Sequence, residues 1–302
     1  MANIVLDMIL SLVILIGLAP LAEGLLRKLK AIVHSRQGPP ILQPYLDLAK
    51  LLVKEDLSPT RNWVWRMAPS LCLGATVVLA LFTPIGHQPP LSFAGDLIVF
   101  IYFAALPAVA IILGAFASGN PYAYVGGSRE MMVMLSVEPV MTIALLVAAI
   151  KAHSLTFAGL LEGPAAGIPS VSMAVAGLAF LLALQAQVGK LPFDMAEAEQ
   201  EIMEGPFIER SGPGFALFRW AKHARLMIFS ALLVTVFIPW PRVASVELGV
   251  LLTLAKMAVV LALVGVADVV NPRLRIDQSM AYYARIIVYV ALGALVFAVL
   301  GA

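Results

Sequence analysis

Long, nearly uninterrupted apolar blocks constrain this chain more than any other feature. A helix that crosses a bilayer needs roughly 20 apolar residues, because each residue rises only ~1.5 Å through a hydrocarbon core ~30 Å thick. About eight stretches meet that demand: 3–26, 67–86, 96–118, 130–150, 170–189, 226–240, 246–269 and 280–301. The 226–240 stretch is short, and a start near Phe215 or Trp220 would lengthen it. Pro20 and Pro107 fall inside spans, where membrane helices accept them as kinks if neighbours satisfy the freed carbonyls. Composition agrees, with 61% of the 302 residues hydrophobic and 13% charged, against about 45–50% and about 25% in soluble domains. The expected fold is all-α: a single domain over 1–302, polytopic, with about eight transmembrane helices.

Charge asymmetry orients the spans. Loops one, three, five and seven, with their flanks, carry most of the Lys and Arg residues, from Arg27 and Lys28 to Arg285, whereas the opposite loops carry Lys151 and Arg242. The positive-inside rule then places the large loops in the cytoplasm and both termini outside. The run from Met1 to Leu26 has no Lys or Arg before Arg27, so it reads as a first span and not as a cleaved signal, which carries its positive charge first.

Several function classes drop out. A net charge of +2 gives no footprint for nucleic acid. The one cysteine, Cys72, cannot form a disulfide within the chain, and His34, His87, His153 and His223 lie far apart. Iron–sulfur clusters need several thiolates and haem needs axial ligands, so no metal site is expected. No phosphate-binding glycine loop or nucleophile–base pair marks the chain as an enzyme by itself.

Two loops on the charged side are rich in pattern. In the first, Ile41, Tyr45, Leu48 and Leu52 follow i, i+4, i+7, i+11, while Asp47, Lys50 and Lys54 take another face. This suits a helix in the membrane interface, or equally a short helix packed on the protein's own spans. In loop five, Asp194, Glu197, Glu201 and Glu204 fall at i, i+3, i+7 and i+10 between Pro192 and Gly205-Pro206, with Glu199 pointing elsewhere. On one helical face these carboxylates would raise one another's pKa and could hold and pass protons. They equally suit a solvated acidic face pairing with Arg210, Arg219, Lys222 or Arg225.

Ionisable residues within the bilayer cost roughly 2.5–3.5 kcal/mol each on insertion scales, so they suggest function. Glu138 is the expected membrane-embedded proton site, with Glu130 two turns before it; Glu23 is expected to reach the interface. Asp268 with Lys256 reads as a structural ion pair.

Three strings carry a family resemblance. Lys190–Gly205 (KLPFDMAEAEQEIMEG) with Glu209-Arg210-Ser211-Gly212, the first-loop Arg36-Gln37-Gly38-Pro39 with Asp47–Glu55, and Ser128-Arg129-Glu130 with Glu138-Pro139 together resemble the respiratory complex I subunit 1 family. The likeness is greatest to its members in formate hydrogenlyase and energy-converting nickel–iron hydrogenases. It implies a prokaryotic inner-membrane anchor with hydrogenase-like large and small subunits, an iron–sulfur subunit and antiporter-like membrane subunits as partners. The nickel–iron centre and iron–sulfur clusters would sit in those partners. It further implies that Arg36, Lys50, Lys54, Arg129, Lys190 and Arg210 face the docked redox arm, and that Asp194, Glu197, Glu199, Glu201, Glu204, Glu130 and Glu138 couple it to proton or sodium translocation. Gln185 and Gln187 stand where relatives carry a glutamate before the PFD string, and Arg210 replaces a tyrosine; both departures argue against a complete quinone chamber. The competing readings are the quinone-binding subunit of an NADH or ferredoxin dehydrogenase, an independent transporter, and a purely structural anchor.

Overall fold

The computed structural model describes residues 2–86, 88–162, 170–241 and 245–300, and helices are the regular structure among the described residues. Along the chain the elements are α1 (Ala2–Leu12), α2 (Ala19–Val33), α3 (Gln43–Val53), α4 (Trp63–Phe82), α5 (Asp96–Phe116), α6 (Pro121–Ala152) and α7 (Phe157–Glu162). After these come α8 (Val171–Gln187), α9 (Glu199–Ile202), α10 (Gly212–Leu232), α11 (Val246–Val270), α12 (Ile276–Tyr282) and α13 (Val288–Val299). Seven helical stretches among the described residues are long and apolar enough to cross a membrane, and α8, at 17 residues, is a shorter eighth. His87 and Arg242 lie outside the described residues.

The first span is broken. A π-helical turn over Val13–Gly17 separates α1 from α2, which restarts with Pro20 in its first turn, where a missing N–H costs nothing. Two carbonyls at the break are capped from elsewhere: Trp220 Nε1 donates to Ile16 O at 2.9 Å and Tyr45 Oη to Gly17 O at 2.6 Å. Tyr45 thereby fixes α3, which packs on α2 and α10 with Leu48 buried and Ile41 and Leu52 exposed.

The sixth span runs from Gly212 to Phe237, well ahead of the expected 226–240. The reason is its position. This helix contacts α2, α3, α4, α8 and α11 and is buried almost all round, so Arg219, Lys222, His223 and Arg225 face protein groups and not lipid. A hydropathy pattern registers those cations as a boundary; tertiary contacts make them part of the helix. The fourth span likewise starts at Pro121, before the expected 130. Close approach explains this end: a Cβ on Gly126 would lie 2.5 Å from Pro206 Cδ and 2.7 Å from Gly205 Cα. The first turns of α6 thus form the seat of loop five.

Candidate functional site at the charged face

Loop five, between α8 and α10, is the hub of its side. Ser211 Oγ accepts from Leu57 N in loop one (3.0 Å), Glu209 Oε1 accepts from Asn120 Nδ2 in loop three (2.6 Å), and Pro192 O accepts from Leu274 N in loop seven (3.1 Å). All four charged-side loops are therefore tied through one segment.

The expected acidic helix is not formed. Residues 188–198 run as turns and irregular chain, α9 covers only Glu199–Ile202, and Met203 and Glu204 take positive φ of 50° and 68°. The four carboxylates do not share a face. Each meets a different cation: Asp194 with Arg273 at 3.1 Å, Glu197 with Lys222 at 2.5 Å, Glu201 with Arg129 at 2.7 Å and Glu204 with Arg219 at 2.7 Å. Helical spacing misled because it takes no account of these cations, which lie on separate elements: α6, α10 and the α11–α12 link. Glu199 is exposed.

The environments divide the acids. Burial works to raise the Glu197 pKa, but Lys222 and Arg219 outweigh it and hold the group below its usual value. The hydrogen bond from Arg129 likewise holds Glu201 low. Asp194 goes the other way: burial, aided by the neighbouring Glu197 charge, pushes it up despite Lys222 and Arg273. Two neighbouring acids are thus shifted in opposite directions.

Lys190 and Arg210, expected on a docking face, are each about nine-tenths buried. Lys190 Nζ lies 2.9 and 2.8 Å from the two carboxylate oxygens of Glu23. Glu23 is therefore buried within the protein, against loop five. From it the charges continue outward, Arg27 lying 3.7 Å from Glu23 and 3.0 Å from Asp47. The Arg210 guanidinium stacks 3.9 Å over Trp65 and 5.0 Å from Phe218, and burial lowers its pKa to about 10. Arg36, Lys50 and Lys54 remain exposed, and Arg129 is taken by Glu201. Asp268 pairs with Lys30 and accepts from Leu191 N at 3.0 Å. Its expected partner Lys256 lies 12 residues away on the same helix, ~18 Å along the axis, and donates to Ile238 O instead.

Beneath loop five two small cavities succeed each other, each of about 20 Å³, room for a single water. Glu130, Glu197, Lys222 and Arg225 line the first. Glu138 and Gln187 line the second, where one Glu138 oxygen is buried without a partner. Arg225 joins the two by donating to the Gln187 carbonyl. The amide of Gln187 makes a long contact to Ala104 O (3.5 Å), and Gln185 donates to Leu191 O at 2.5 Å, which holds the loop's entry. Sequence reasoning missed this junction, since nothing in the pattern distinguishes a glutamine whose backbone carbonyl matters. Among the described residues, no three His, Cys, Asp or Glu side chains group as a metal site.

Known proteins resemble this chain in sequence and in fold. A family model described as NADH dehydrogenase matches residues 6–299. Formate hydrogenlyase subunit 4 of Escherichia coli is 34% identical over 280 residues, covering 89% of this chain and 91% of that protein. Hydrogenase-4 component C of the same organism is 36% identical over 264 residues, covering 85% and 84%. A subunit of the NADH-quinone oxidoreductase of Syntrophotalea carbinolica is 31% identical over 282 residues, covering 87% and 84%. Among solved structures, a chain of the membrane-bound sulfane sulfur reductase, an archaeal respiratory membrane complex, superposes with a TM-score of 0.89 at 25% identity, covering 98% of this chain and 99% of that one. Matched over nearly its whole length by family, relatives and fold, the chain belongs to the NADH dehydrogenase family of membrane proteins.

Proposed function

We propose that this chain is the membrane subunit of a formate hydrogenlyase or energy-converting hydrogenase complex, seating the redox arm on its charged face and coupling that arm's turnover to proton translocation. The observation that carries the reading is the succession of ionisable groups from loop five into the bilayer: Asp194 and Glu197 at the loop, Glu130 and Arg225 below, and Glu138 in the membrane. A redox step above the loop would redistribute charge among the four clamped carboxylates. Their protonation would then couple to Glu138 and on to neighbouring subunits, with Arg225 standing between the two cavities as a fixed positive charge bound to the Gln187 carbonyl. The charged face is read as cytoplasmic, and the exposed Arg36, Lys50 and Lys54 as contacts for the arm.

The test is substitution in the assembled complex. Glu138→Gln, Glu197→Gln and Glu201→Gln should each lower coupled turnover while assembly is retained; normal coupling in all three would sink the proposal. Purification through a tag on this chain, with mass spectrometry and metal analysis, addresses the partners: nickel and iron–sulfur subunits are expected.

A second reading is the quinone-binding subunit of an NADH or ferredoxin dehydrogenase, favoured by the 31% identity to part of an NADH-quinone oxidoreductase. Modification of this chain by a quinone-analogue photolabel would select it, as would flavin-bearing partners without nickel.

A further inference from the structure

The helix through α10 ends beside a crevice. Its closing π-turn ends at Phe237, and the chain from Ile238 to Pro241 leaves it as irregular backbone. The space beyond is a crevice of about 280 Å³, walled by segments that belong to the side opposite the charged loops: the Gly86 turn, α7 and the start of α11. Gly86 and Gly249 meet backbone to backbone at one wall; a Cβ on Gly86 would lie 2.4 Å from Gly249 C.

Lys256 reaches into this crevice. It lies ten residues after Val246, ~15 Å along α11, and its side chain leans back toward the start of that helix, level with Ile238 just past the end of the α10 span. Its Nζ donates to Ile238 O at 3.0 Å, and among the described residues no carboxylate pairs with it. A part-buried ammonium with only a neutral carbonyl for a partner is costly unless water reaches it. The lining suits water. Thr235 and Thr253 donate their hydroxyl hydrogens to Ala231 O and Gly249 O of their own helices, leaving lone pairs to accept from solvent. Glu162, held by Gln88 at 2.5 Å, shares the space. Glu247 stands at the start of α11, whereas the charges of α2 and α10 lie toward the other face; His87 and Arg242 are outside the described residues.

Toward the interior the polar lining ends. Phe100, Phe157 and Phe229 are fully buried, the Phe100 ring centroid lying 5.4 Å from that of Phe157 and 6.5 Å from that of Phe229. Phe100 and Phe229 line the cavity of Glu138, whereas Leu161, one turn after Phe157, and Val234, five residues after Phe229, line the crevice. This aromatic cluster separates the two ionisable sites.

We propose that the crevice is a water-filled well through which Lys256 exchanges protons with the side opposite the charged loops, making Lys256 the outer proton site of the chain. In the exchange the ammonium gives a proton to a well water, leaving a neutral amine and a hydronium that diffuses out; uptake is the reverse. The inner site, Glu138, rests on the proposed function; the well does not.

The test uses the assembled complex in sealed vesicles of known sidedness, with Cys72→Ala as background. Thr253→Cys should react with a charged, membrane-impermeant methanethiosulfonate added on the side opposite the charged loops, whereas the exposed Val259→Cys on the same helix should not. Labelling of Thr253→Cys by a lipid-soluble maleimide alone would place acyl chain in the crevice and overturn the proposal. Lys256→Gln should lose proton transport with assembly and redox turnover retained. Lys256→Arg should lose it too, since arginine does not release its proton; transport restored by arginine would make Lys256 a fixed charge and overturn the exchange role. Normal coupling in Glu138→Gln with Thr253→Cys still labelled would remove the proposed coupling route and leave the well standing.

Discussion

Lys190 and Glu23, 167 residues apart in sequence, meet as a buried ion pair in which both carboxylate oxygens lie within 2.9 Å of the ammonium. Loop five is thereby pinned to the first span. Removing one partner of a buried pair leaves an uncompensated charge and costs about 3–5 kcal/mol. Lys190→Met and Glu23→Gln should each lower the melting temperature in detergent sharply, and the double variant should recover much of the loss. Burial alone would lower the Lys190 pKa, but the Glu23 charge raises it above 10.5. The contribution is therefore fully present below pH 10.5 and lost as pH rises through the folded value. Stability measured from about pH 6 to 9 should show no step from this pair, because that window lies below the unfolded lysine value.

The surface pair Arg129–Glu201 should behave differently. Glu201 is half exposed, at 52%, and such pairs contribute about 0–1 kcal/mol. Arg129→Gln should leave the melting temperature nearly unchanged at neutral pH. Because Arg129 holds the Glu201 pKa below 4.5, its support is present above that pH and lost as pH falls through the folded value. An acid titration of stability should flatten in Arg129→Gln; a large loss at neutral pH would show that the pair is structural.

Two glycines seat the loops. A Cβ on Gly126 would meet the backbone at Pro206 N, 2.6 Å away, and one on Gly24 would clash with the Ile41 carbonyl. Overpacking of this kind costs typically about 1–3 kcal/mol, and backbone cannot rotate aside as a side chain can. Gly126→Ala should displace loop five and reduce recovery of partner subunits on a tagged chain, while Gly74→Ala, which meets nothing within 4 Å, should not.

Tyr45→Phe deletes the donor to Gly17 O at the break in the first span. The expected cost is about 0.5–1.5 kcal/mol, read as a lower melting temperature and faster proteolysis of loop one. Unchanged proteolysis would mean that packing of Leu48, and not the hydroxyl, holds α3 in place.

The sequence by itself determined the membrane class, the set of spans, the segregation of charge to one side and the family, because apolar block length and charge asymmetry are local properties that a bilayer reads directly. Tertiary structure decided the rest. Asp194, Glu197, Glu201 and Glu204 are spaced as one helical face, yet each is drawn to a cation on a separate element or turn, and no local pattern encodes those distances. Arg219, Lys222 and Arg225 look like the end of a span and are its buried first half, since a helix surrounded by protein need not be apolar. Glu23 and Lys190, far apart in the pattern, became partners because burial makes an unpaired charge too costly to leave alone.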